Sequence, residues 1–213
     1  MESIDVKKFK EMTLRLAEEI QNNKAYLCEL DAAIGDGDHG ISMAKGFKEA
    51  EKRLRDINEE DLEKISDVYK LVGMALLDKI GGATGPIFST IFLSAAKVAG
   101  DKKEADLKLF ADMFTTAVED VCKRGKSKAG EKTLIDALDP AAKALSKSAQ
   151  EGLPLEKGLK NAYKEALEGV EDTKEMSPGQ GKSRYLKDRA IGHQDAGATS
   201  ISLMFKAMKE YLV

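Results

Sequence analysis

Apolar residues return every three or four positions along almost the whole chain. Phe9, Met12, Leu16 and Ile20 form one such stripe; Leu62, Ile65, Tyr69, Val72 and Leu76 form another; Leu109, Met113, Ala117 and Val121 a third. That interval is the 3.6-residue turn of an amphipathic helix, with each stripe facing a core. No stretch alternates apolar and polar residues between turn signals, so no strand is expected. The stripes predict helices over 5–22, 39–56, 60–79, 86–99, 104–124, 134–150, 155–170 and 198–212, with a shorter one near 24–31. Eight long helices with short links predict an all-α architecture, an eight-helix antiparallel up-and-down bundle or closed helical barrel. A chain of 213 residues is expected to form it as a single domain, 1–213. The low aromatic share, 6% with no Trp, and only four prolines fit helices better than a sandwich or barrel of strands.

Charge narrows the function classes. Thirty-four Lys and Arg against 37 Asp and Glu leave a formal net charge of −3, which favours neither nucleic acid nor an anionic membrane as a partner. The most apolar stretch, 87–99, is too short and too interrupted to span a bilayer. The first residues, Met1-Glu2-Ser3-Ile4-Asp5, are acidic with no apolar run behind them, so no signal peptide is expected. Cys28 and Cys122 stand far apart in no metal or redox spacing and read as reduced thiols. The expected location is the cytoplasm.

One link is not short. Residues 171–197, with Pro178 and glycines at 179, 181, 192 and 197, have the length of a lid or binding loop. Three other glycine-rich breaks occur at 35–40, 81–85 and 125–130. An antiparallel arrangement puts alternate breaks at one end, where several of them can converge on one site.

The sharpest motif is Leu30-Asp31-Ala32-Ala33-Ile34-Gly35-Asp36-Gly37-Asp38-His39-Gly40. Asp31, Asp36 and Asp38 would repel one another without a cation, and hard oxygen donors suit Mg²⁺ or Ca²⁺. An exposed turn with Asp38 capping the following helix is the other reading. Gly81-Gly82-Ala83-Thr84-Gly85-Pro86 precedes an apolar helix, with Pro86 suited to its first position; it reads as an anion site or simply as paired caps. Thr133 and Asp136 resemble a capping box. In Gly192-His193-Gln194-Asp195-Ala196-Gly197-Ala198-Thr199-Ser200, Asp195 is either a cap or a ligand, and the small residues admit close approach of a nucleotide. Gly125-Lys126-Ser127 and Gly181-Lys182-Ser183 imitate a P-loop tail, but Asp120 and Met176 stand where its first glycine belongs. His39 and His193 have no zinc spacing.

Taken in order, L-D-x-x-I-G-D-x-D-H-G, G-G-A-T-G-P, R-G-K with G-E-K-T, and Y-L with R-x-I-G-H-Q-D-x-G-A-T-S resemble the nucleotide-binding subunit family of dihydroxyacetone kinases over about residues 5–211. The resemblance implies an eight-helix barrel with nucleotide at one end. It implies two Mg²⁺ ions held by Asp31, Asp36 and Asp38, which with His39 are the candidate catalytic residues. It also implies contacts to the phosphates from His39, Gly40, Ile41, Ser42, Ala83 and Thr84, and to the adenosine end from Gly125 and Leu134. Lys182, Asp195, Ala196 and Gly197 would close over the nucleotide. Dihydroxyacetone would sit on a separate K subunit. The stand-alone size resembles the phosphotransferase-system form, in which bound ADP is a coenzyme recharged by a phosphocarrier M subunit. An ATP-exchanging kinase and a paralogous regulatory subunit are the alternatives, and a homodimer is left open. Lys182, Ala196 and Ser42 depart from the family's usual Arg, Pro and Asn.

Overall fold

The computed structural model describes residues 2–179 and 187–212. Nine α-helices are found among them: α1 (Val6–Asn22), α2 (Lys24–Ile34), α3 (His39–Asp56), α4 (Ile65–Lys79), α5 (Thr84–Ala99), α6 (Leu107–Gly125), α7 (Ile135–Gln150), α8 (Leu155–Asp172) and α9 (Ala196–Tyr211). Each buries the stripe that its sequence shows. In α1, Phe9, Met12, Leu16 and Ile20 all face inward, as do Val68, Tyr69, Val72 and Leu76 of α4.

Helix neighbours close a ring. The chain packs α1 on α3, α3 on α4, α4 on α5, α5 on α6, α6 on α7, α7 on α8, α8 on α9, and α9 back on α1. Eight helices thus form the expected barrel, while α2 lies outside the ring against α3 and α9. The interior is filled by a run of rings. Phe9 meets Tyr69 at 4.6 Å and Phe110 at 5.8 Å; Tyr69 meets Phe92 at 5.2 Å; Phe114 meets Phe205 at 4.9 Å. Each fully buried aromatic of this kind is worth roughly 1.5–3 kcal/mol of apolar transfer. The Tyr69 hydroxyl donates to Met208 Sδ at 3.9 Å, and complete burial pushes its pKa far above the ordinary phenol value.

Two short strands correct the expectation of none. β1 (Ser3–Asp5) pairs antiparallel with β2 (Glu104–Asp106), Ile4 opposite Ala105. Three residues are too few to show alternation in sequence, and the pairing joins positions about 100 apart, so no local pattern announces it. Both strands end in an aspartate that caps the next helix. Asp5 accepts from Lys8 N at 2.8 Å, and Asp106 accepts from Leu109 N at 2.7 Å. The strand and its cap displace the sixth helix's start from 104 to Leu107; α4 likewise begins at Ile65, after a one-turn 3₁₀ segment over Glu59–Asp61. This hairpin-like clamp ties the starts of α1 and α6.

The opposite end carries the breaks before α3, α5, α7 and α9. Up-and-down order around a closed ring requires these four helix starts to lie together. Contacts across them agree with this. His39 of α3 faces Phe88 of α5 with ring centroids 6.0 Å apart, and its Nε2 lies 2.8 Å from Ser200 Oγ of α9.

Candidate functional site

Asp31 lies on the last turn of α2, which extends beyond its expected end; Asp36 and Asp38 lie in the link to α3. One carboxylate oxygen from each falls within 4.8 Å of the others, with Asp31 half-buried and the other two exposed. The link turns sharply at Gly37, whose φ of 76° is in the left-handed region that glycine adopts at little cost. Gly40 brings α3 against α2: a Cβ there would strike the Lys24 carbonyl and come within 2.8 Å of Cys28 Sγ. Only a hydrogen lets the two helices approach this closely, and their approach closes the aspartate cluster.

Asp38 does not cap α3 with its side chain. Asp31 does that work from the neighbouring helix, its Oδ2 accepting from His39 N at 3.2 Å. The capping reading of the motif therefore fails for Asp38. Three hard oxygen donors gathered at one solvent-facing point have the chemistry that Mg²⁺ prefers, with room for water and phosphate as further ligands. Asp31, Asp36 and Asp38 fit a divalent cation.

Helix starts surround this cluster. Helix geometry leaves the first N–H groups without carbonyl partners one turn back, concentrating partial positive charge there. At α3 these belong to Gly40 and Ile41, and Ser42 N closes the first turn on the Asp38 carbonyl at 2.9 Å. At α5, Ala83 is the N-cap and Thr84 the first helical residue, so Pro86 stands third, not first as the sequence suggested. Its missing N–H is harmless there, since that position also has no intrahelical acceptor. Each such terminus favours an anion by about 0.3–1 kcal/mol.

His39 is buried, and burial pushes its pKa below the ordinary imidazole value against the opposing pull of Asp31 and Asp38. Ser200 joins the site through a contact that no local spacing in the sequence announces. It follows Ala196 by one helical turn, and its hydroxyl donates to the Ala196 carbonyl at 3.0 Å while meeting His39.

Leu134 N-caps α7, and Gly125 ends α6 beside Ile87 of α5. The turn between them is organised by Asp136, whose carboxylate accepts from Gly130 N at 2.5 Å and Thr133 N at 2.7 Å. The second of these bonds, with Ile135 N donating to Thr133 Oγ1 at 3.2 Å, is the expected box in a looser form. Asp195 caps α9, accepting from Ala198 N at 2.7 Å, and Gly197 lies against Leu134. Burial, reinforced by Asp136, pushes Asp195 up to about 6. Asp31, Asp36, Asp38 and His39 are thus gathered at one point with Ser200. Ala83, Thr84, Gly125, Leu134, Asp195, Ala196 and Gly197 belong to the surrounding helix ends. Lys182 lies outside the described residues, as does part of the proposed lid.

The DAK2 domain family matches residues 33–210. The ADP-binding subunit DhaL of a PEP-dependent dihydroxyacetone kinase from Listeria innocua is 40% identical over 191 residues, covering 90% of this chain and 89% of the relative. The corresponding Escherichia coli subunit is 36% identical, covering 86% of each chain. A crystal structure of the dihydroxyacetone kinase from C. freundii in complex with AMP-PNP and Mg²⁺ superposes with a TM-score of 0.74 at 25% identity, over 99% of this chain and 34% of that one. The chain thus spans about a third of that kinase's length and nearly all of the two subunits. It belongs to the DAK2 domain family.

Proposed function

We propose that this chain is the ADP-binding subunit of a phosphoenolpyruvate-dependent dihydroxyacetone kinase. It receives a phosphoryl group on bound ADP from a phosphocarrier M subunit and passes it to dihydroxyacetone on a K subunit. The carrying observation is the approach of Asp31, Asp36 and Asp38 to within 4.8 Å at the barrel end where four helices begin. Residues 1–213 act as one nucleotide-binding unit in this reading. The two free, half-buried thiols Cys28 and Cys122 support a reducing, cytoplasmic setting, and no described helix is long and apolar enough to cross a membrane.

Phosphoryl transfer asks little covalent chemistry of the protein; positioning and charge complementarity supply most of the rate. Mg²⁺ held by Asp31, Asp36 and Asp38 would supply positive charge that offsets the charge of the phosphates. The N–H groups at the starts of α3 and α5, from Gly40, Ile41, Ala83 and Thr84, donate to phosphate oxygens. His39, kept neutral by burial, offers a hydrogen-bonding ring edge beside them without adding a second full charge. Leu134 and Gly125 border the adenosine end, and Ala196 and Gly197 bring unobstructed backbone to the nucleotide. Lys182, outside the described residues, would contribute a cation to the phosphates, as the resemblance implies.

The C. freundii complex with AMP-PNP favours a second reading, a subunit that exchanges ATP for ADP freely. Extracting nucleotide from purified protein separates the two. ADP retained through dialysis in the presence of Mg²⁺ supports the coenzyme form. An empty site that turns over ATP with the K subunit alone overturns it.

A further inference from the structure

The G-E-K-T motif contains a buried lysine that the nucleotide site does not use directly. Lys132 is only 1% exposed. Among the described residues, its ammonium makes no ion pair at contact distance. It donates instead to two backbone carbonyls, those of Thr173 and His193. Its own backbone is held at φ 56°, a left-handed conformation uncommon for a residue with a Cβ.

These two carbonyls belong to chain segments far apart in sequence. Thr173 follows the end of α8, and His193 lies two residues before the Asp195 cap of α9. Neighbouring bonds reinforce the junction. Thr173 Oγ1 accepts from Asp195 N at 3.0 Å, Gly192 N donates to the Lys174 carbonyl at 2.8 Å, and Gly179 N donates to the Glu131 carbonyl at 3.0 Å. The turn before α7 therefore grips both the exit from α8 and the entrance to α9. Burial pushes the Lys132 ammonium below its ordinary pKa, against the opposing pull of Asp195, Asp136 and Glu175, whose charges a cation here offsets.

We propose that Lys132 is a positioning residue that sets the 193–197 turn against Leu134, and thereby fixes how tightly the site retains its nucleotide. The inference rests on the ADP-binding reading above. Its ammonium touches neither phosphate nor metal; it acts through the His193 carbonyl and the Asp195 cap. Arginine is longer and planar, so it cannot reproduce a point donor between two carbonyls.

The test is ADP release from the full-length protein loaded with Mg–ADP, followed by displacement of a fluorescent ADP analogue. Lys132→Met is expected to speed release by about tenfold or more, the scale of losing charge-assisted hydrogen bonds. Lys132→Arg restores it only partly. Thr173→Val, which keeps Lys132 but removes the acceptor of Asp195 N, is expected to speed release about threefold and serves where Lys132→Met does not fold. Mn²⁺ affinity of the nucleotide-free aspartate cluster should stay within about twofold of wild type in either variant, a readout that general loosening would move. Folded variants that release the analogue at the wild-type rate overturn the role of Lys132. Parallel loss of Mn²⁺ affinity and analogue also overturns it, as a sign of a purely structural residue. Wild-type protein that holds no nucleotide overturns the ADP-binding reading and the role with it.

Discussion

His39 Nε2 lies 2.8 Å from Ser200 Oγ, joining the first residue of α3 to α9 across 161 positions of sequence. The serine hydroxyl also lies in donor geometry to the Ala196 carbonyl, so one side chain links the imidazole to the backbone of α9. We expect Ser200→Ala to lower stability by only about 1 kcal/mol, the usual net value of one hydrogen bond. Phosphoryl transfer should fall further than stability does. The ¹⁵N shifts of His39 read the hydrogen bonding of its ring directly, and shifts unchanged in the variant would contradict a bond to Ser200.

Asp36→Asn should abolish Mg²⁺-dependent ADP binding while leaving the helical fold in place. Its side chain is exposed at the barrel end and contributes nothing to the aromatic interior. Calorimetric titration with ADP, with and without Mg²⁺, reads the first effect, and far-UV circular dichroism reads the second. Wild-type transfer by this variant would remove the carboxylate cluster from the mechanism.

Gly40→Ala should damage both fold and site, because the added methyl would collide with the Lys24 carbonyl where α2 meets α3. Forcing a methyl into such a contact costs about 1–3 kcal/mol. Gly81→Ala is the control, since a Cβ there meets nothing within 4 Å. Urea denaturation should show a lowered midpoint for the first variant alone, and Mn²⁺ binding should weaken with it.

Asp195 gives the ligand-free protein a defined pH signature. Its folded pKa, about 6, lies above the ordinary 3.8. Between those values the folded state binds more protons than the unfolded state, so this group's contribution to stability is full below about 4 and is lost as pH rises through about 6. Asp195→Asn removes the titration while keeping an acceptor for Ala198 N. Melting temperatures measured without metal or nucleotide should therefore shift in the variant's favour as pH rises from 4 to 6. A constant difference across that range would show that Asp195 titrates normally.

Periodicity made the helices legible. A stripe such as Phe9, Met12, Leu16 and Ile20 needs no distant partner to reveal which face is buried, because one helical turn repeats within four residues. The motif order likewise made the aspartate cluster and the helix-start loops readable, since a carboxylate or a glycine carries its chemistry wherever it stands. Element ends were less legible. α2 runs on to Ile34, three residues past its expected end at Asp31, while β1 and β2 exist only because two three-residue segments about 100 positions apart meet.

The sequence by itself determined a predominantly helical chain, three aspartates whose hard oxygens suit a divalent cation, and glycine-rich breaks before the helices that follow. Tertiary structure alone decided that Asp31, not Asp38, caps α3, that Ser200 orients His39, and that Lys132 spans Thr173 and His193. The division has a physical cause. Helical periodicity and side-chain chemistry are local properties, whereas a hydrogen bond between residues 161 apart forms only when the ring of helices closes and sets their starting ends together.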